Sequence, residues 1–161
     1  MEFQRVVPVI AAAQSVPGRL GSGDDATLLG SLGEIAGTSA VLLGHNVEIM
    51  CELIRRGCRS VTELQQNDRP EQGSADLVIV SSVGAVDGAV TAIAHARRGL
   101  RRSGRIVVRT AANPARWLGH AIERTLRVHG FSAIRVCRIM DCTMFTAELP
   151  LFAPVARLKA A

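Results

Sequence analysis

Tyrosine is absent from this 161-residue sequence, and one tryptophan and four phenylalanines bring the aromatic share to only 3%. Proteins that grip single-stranded nucleic acid stack bases on several such rings, so that platform is hard to assemble here. Lysine is nearly absent too: of the 19 basic side chains only Lys159 is a lysine, and the rest are arginine. No stretch approaches the roughly 20 uninterrupted apolar residues that span a bilayer, which excludes a helical membrane protein. The four cysteines, Cys51, Cys58, Cys137 and Cys142, include no CxxC pair and no histidine at zinc spacing. No metal site is expected from them.

What the sequence does contain describes one globular domain. It is 48% hydrophobic and 20% charged, and a chain of this length buries about two-thirds of its unfolded surface without disulfides or metal. Four cysteines in such a chain read as reduced thiols, hence a cytoplasmic protein. The N-terminal apolar run, Val6 to Ala13, is broken by Pro8 and preceded by Glu2. That is a poor signal peptide, and we expect the segment to dock on the domain as a helix or strand. The formal net charge is +5, with arginines clustered at Arg97, Arg98, Arg101, Arg102, Arg105 and Arg109. One reading is a phosphate-binding patch; the other, favoured here, is the solvated face and exit of one helix.

Along the chain, short β-branched runs alternate with helical patterns. Ser39 to Leu43 reads as a buried strand ending at Gly44. Asn46 then caps a helix with Val47, Met50, Cys51 and Ile54 at apolar spacing, closed by Arg55, Arg56 and Gly57. A strand within Arg59 to Leu64 and a polar loop from Gln65 to Ser74 follow. Asp76 to Val80 is the clearest strand. A helix carrying Val86, Val90, Ile93, Ala94, Arg97 and Leu100 runs to Ser103-Gly104, and Arg105 to Arg109 is again a strand. Asn113-Pro114 opens a helix with Trp117, Leu118, Ala121, Ile122 and Leu126 on its buried stripe. Phe131 to Met140 and Cys142 to Leu149 read as a final antiparallel pair, and Asp25 to Ile35 as a leading helix.

Alternation of this kind predicts a doubly wound, Rossmann-like α/β sheet, mostly parallel, with about six strands and an antiparallel final strand. A single domain is expected over 1–161: a helical lead-in at 1–38, an α/β core at 39–149 and a tail at 150–161. Such sheets bind ligands beyond the carboxyl ends of their strands, at the switch point. That places candidate chemistry at Gly44, His45, Asn46, Glu63 and Ser81-Ser82. Each has a second reading as ordinary turn or capping chemistry.

With these elements in order, the stretch from Leu28 to Leu149 resembles the class I S-adenosylmethionine-dependent methyltransferases. LLGSLGEIAGTSAVLLGHN, Leu28 to Asn46, is similar to the family's lead helix, first strand and first loop. ELIRRGCRSVTEL, Glu52 to Leu64, resembles the next helix and strand, in which Glu63 matches the acid that holds the ribose hydroxyls. PEQGSADLVIV, AIAHARRGLRRSGRIVV and GFSAIRV are similar to later strands and turns in the same order. The resemblance implies S-adenosylmethionine as cofactor, with Gly44, His45, Asn46, Glu63, Asp68 and Ser81 as the residues nearest to it, and no metal.

Two departures stand beside the matches. The family's first loop is glycine-rich, whereas here Gly44 is followed by His45, Asn46, Val47 and Glu48, a degenerate form of that motif. The interval between Glu63 and Asp76 is also too short for a helix and a third strand, since a crossover takes about a dozen residues. That edge strand is therefore expected to be missing, and Asp68 is the one residue in the loop placed to substitute for its contacts. Catalytic residues are not assigned. The two function classes are a small methyltransferase acting on an unknown small-molecule or protein acceptor, and a non-catalytic methyltransferase-like module for binding or oligomerisation, such as a homodimer. Nucleic acid remains the third, disfavoured partner.

Overall fold

The structure, a computed structural model, describes residues 6–8, 28–139 and 141–151. Among the described residues seven strands form one sheet: β1 (Val6–Pro8), β2 (Ser39–Leu43), β3 (Ser60–Leu64), β4 (Ala75–Val83), β5 (Leu100–Thr110), β6 (Ser132–Ile139) and β7 (Cys142–Glu148). Their spatial order is β1-β3-β2-β4-β5-β7-β6. The pairs β3–β2, β2–β4 and β4–β5 are parallel, while β7 runs antiparallel to both β5 and β6. Strands from β2 onward are joined by the helices α1 (Val47–Arg55), α2 (Val86–Gly99) and α3 (Arg116–Val128). The mostly parallel sheet with an antiparallel end agrees with expectation.

Both faces of the central strands are covered, which is why they read as unbroken apolar runs. On one face Val41, Leu43, Val78, Val80, Ile106 and Val108 pack with the inward residues of α2 and α3. On the other, Leu42, Leu77, Ile79 and Val107 pack with Ile49 and Leu53 of α1 and with Leu28, Leu29, Leu32 and Ile35. Residues 65–74 contain turns and no strand, as the short interval requires. The edge that this omission would bare on β3 is paired instead with β1, antiparallel, with Val7 opposite Val61. A strand drawn from the N-terminal stretch thus closes an edge that would otherwise offer unpaired backbone groups to other chains.

Several local expectations are corrected. The leading helix, read as Asp25 to Ile35, is helical at 28–30 and gives way to turns from residue 31; residues 25–27 lie outside the described residues. The buried stripe of α1 is Ile49 and Leu53, with Met50 and Ile54 half-covered and Val47 and Cys51 exposed. α2 ends at Gly99, short of Ser103-Gly104, because Leu100 is drawn into the sheet opposite Ala75 and the next residues bulge before Arg105 pairs with Leu77. α3 starts after Ala115 rather than at Pro114, because Asn113 turns into a left-handed conformation and its backbone N–H donates to the Asp141 carbonyl at 2.7 Å. Trp117, placed on the buried stripe of that helix, is 61% exposed; Leu118, Ile122 and Leu126 form the stripe.

Much of the arginine cluster is engaged by the protein itself. Arg105 donates to the carbonyls of Leu32 and Glu34 at 2.6 and 3.1 Å, pinning the lead segment to the sheet. Arg101 bonds the Gly73 carbonyl and the carboxylate of Asp76, which in turn accepts the backbone N–H of Ser39. Arg97 donates to the carbonyl of His129. These contacts give half of the cluster a structural use that needs no phosphate.

Candidate functional site

Parallel strands β2, β3 and β4 end side by side, and their carboxyl ends bring together four of the six predicted residues: Gly44, His45, Glu63 and Ser81. Gly44 ends β2 with φ +103°, and its backbone N–H donates to the Leu64 carbonyl at the end of β3 at 2.9 Å. A Cβ placed there would lie 2.5 Å from Ser81 Oγ and 3.3 Å from the Ser81 carbonyl oxygen. The demand for glycine therefore comes from β4, the neighbouring strand. Ser81 is buried and its hydroxyl donates to the Leu43 carbonyl at 3.3 Å, so its hydroxyl is used inside the sheet. Ser82, one residue on, is exposed at φ +59° within a register shift between Val80 and Val83. A bulge at a strand end re-aims a side chain in this way.

His45 and Glu63 meet where β2 and β3 end side by side. The imidazole Nδ1 donates to Glu63 Oε1; the histidine side chain is 79% exposed and the glutamate 25%. The other glutamate oxygen has no hydrogen bond to any described residue. Asn46 caps α1, its Oδ1 accepting the Ile49 N–H at 3.0 Å. Asn46→Ala is expected to lower stability by about 1 kcal/mol, read as a fall of roughly 2–4 °C in thermal unfolding. Asp68 does not join the others: its Oδ2 accepts the backbone N–H of Gln65 at 2.9 Å and closes a turn. Next to it, Gln66 buries its side-chain nitrogen without a hydrogen-bond partner among the described residues. Nothing in a polar loop sequence marks that amide, since its burial depends on how the loop folds against the domain.

The cysteines contribute no site. Cys58 and Cys142 are buried, and Cys51 and Cys137 are exposed and unbridged. Burial pushes the Cys58 thiol above its ordinary range, and its hydrogen bond with Thr38 pulls it partly back. No group of three or more histidine, cysteine or acidic side chains converges among the described residues.

A second feature of the same sheet end went unseen in the sequence. A cavity of about 340 Å³ lies between the first half of α3 and the β6–β7 hairpin. Arg116 and Arg138 line it, together with Gly119, Val136 and Phe145.

No protein-family model matches the chain. No curated protein matches it in sequence. Solved structures do. An S-adenosylmethionine-dependent O-methyltransferase from Thermotoga maritima superposes with a TM-score of 0.64 at 12% identity, over 89% of this chain and 69% of that one. An S-adenosylmethionine-dependent methyltransferase from Mesorhizobium loti gives 0.63 at 14% identity, over 80% of this chain and 98% of that one. On these superpositions the chain has the α/β fold of the S-adenosylmethionine-dependent methyltransferases.

Proposed function

We propose that this protein is a small S-adenosylmethionine-dependent methyltransferase whose first loop is a degenerate form of the family's. One observation carries the reading: Glu63 stands at the carboxyl end of β3, beside the Gly44 turn of β2, with one carboxylate oxygen not hydrogen-bonded to any described residue. Ribose recognition in this class of sheet uses an acid at such a strand end. The residues present fit the group in part. Glu63 supplies an acceptor, Gly44 supplies a tight turn, and His45 is exposed beside both. When bound, the cofactor supplies an electrophilic methyl on sulfur. The chain's own residues would hold the ribose at Glu63 and orient the acceptor for in-line displacement, where positioning supplies most of the rate.

Calorimetry tests the proposal. S-adenosylmethionine should bind with micromolar affinity to the wild type, and Glu63→Ala should weaken it at least tenfold, about 1.4 kcal/mol. Absence of heat at millimolar ligand would overturn it.

The second reading, a binding module without methyl transfer, is favoured by how many polar groups of the site are used internally. His45 holds one oxygen of Glu63, Ser81 holds Leu43, Asn46 holds Ile49 and Asp68 holds Gln65. Glu48 also puts a negative charge in the first turn of α1, unfavourable beside a ligand carboxylate.

A further inference from the structure

The cavity between α3 and the β6–β7 hairpin has the makings of a ligand site in its own right. Its volume, about 340 Å³, lies within the roughly 300–1,000 Å³ usual for small-molecule pockets. Phe145, buried in β7, and Val136 on β6 give it apolar walls. Gly119 keeps it open: this glycine sits inside α3, where glycine costs about 1 kcal/mol relative to alanine, and a larger side chain would project into the space.

The charges around it do not balance. Arg116 from α3 and Arg138 from β6 both line the cavity, and neither side chain makes an ion pair or hydrogen bond with a described residue. The carboxylate on the wall, Glu123, is paired with Arg127 one turn further along the helix. α3 also begins at Ala115 with no side-chain cap and no acid in its first turn, so its positive end adds to the same field. A cavity with an apolar side at Val136 and Phe145, a polar side that includes Thr143 and His120, and two guanidinium groups unpaired among the described residues suits a ligand with an apolar body and one anionic end, because arginine recognises planar carboxylates and phosphates through paired N–H bonds.

We propose that this cavity binds a small organic anion, its carboxylate or phosphate held by Arg116 and Arg138 and its apolar part against Phe145 and Val136. The site stands independently of cofactor binding at Glu63.

Benzoate, inorganic phosphate and uncharged benzamide are the probes, titrated into the full chain with amide NMR as readout. Benzoate should shift the Gly119 and Thr143 amides saturably, phosphate more weakly and benzamide not saturably. The double variant Arg116→Gln/Arg138→Gln should weaken benzoate about tenfold or more. Gly119→Leu, which fills the space and leaves both charges, should abolish it. If benzoate causes no saturable shift, or shifts the double variant equally, the proposal is overturned; so it is if benzamide binds as tightly as benzoate. Wild-type thermal unfolding in either variant confirms that the fold is retained, and S-adenosylmethionine calorimetry on the double variant separates this site from the one at Glu63.

Discussion

Gly44→Val should lower the unfolding free energy by about 3 kcal/mol, combining a left-handed backbone that a β-branched residue resists with overpacking against a neighbour. The backbone at this position has φ +103°, and the new Cβ would arrive 2.5 Å from the Ser81 hydroxyl. Ser81 has little room to retreat, because its strand lies buried at the centre of the sheet and its Oγ is bonded to Leu43. Urea denaturation should show the midpoint falling while the slope is kept. Gly44→Ala should fall between valine and wild type, since it meets the same backbone strain with less bulk. A loss below about 1 kcal/mol for valine would mean that the turn can relax without strain, and that the glycine is not demanded by the sheet.

Leu42→Ala should cost about 3–4 kcal/mol, the range for a large aliphatic removed from a site that cannot collapse. Leu42 is 0% exposed in β2, between Glu63 of β3 and Ile79 of β4, with its side chain among those of the α1 face. Trp117→Ala makes the contrast. It deletes a larger side chain that is mostly in water, and surface changes of this kind stay within about 0.5 kcal/mol. Thermal unfolding followed by circular dichroism should show a fall of roughly 10 °C for the first and almost none for the second. Equal losses would show that the tryptophan is covered after all.

The difference between these two residues illustrates what could be read beforehand. Ser39 to Leu43 was legible to the residue, because a strand buried on both faces leaves an apolar run bounded by a glycine or polar loop; the strand within Arg59 to Leu64 was less sharply bounded, since SVTEL mixes polar and apolar residues and is only partly buried. The stripes of α1 and α3 were less legible. Each helix is long enough to be recognised, but which face turns inward depends on a rotation that the sheet sets, so Cys51 and Trp117 were placed inside and lie outside. The end of α2 and the start of α3 shifted for a similar reason: Leu100 and Asn113 are claimed by hydrogen bonds to residues distant in sequence.

For the candidate site, position was readable and engagement was not. Order along the chain was enough to put His45 and Glu63 at one end of the sheet. Only the packed structure shows that they bond each other, that Asp68 serves its own turn and that Ser81 is sealed within the strands.

By itself the sequence determined the class of fold, the placement of its central strands and the loss of a crossover between Glu63 and Asp76, since these depend on periodicity and chain length. The tertiary structure alone decided that β1 occupies the vacated edge, that three arginines of the cluster clamp the chain, and that Arg116 and Arg138 share a cavity. Each of these joins residues far apart in sequence, and such contacts are set by packing rather than by local preference.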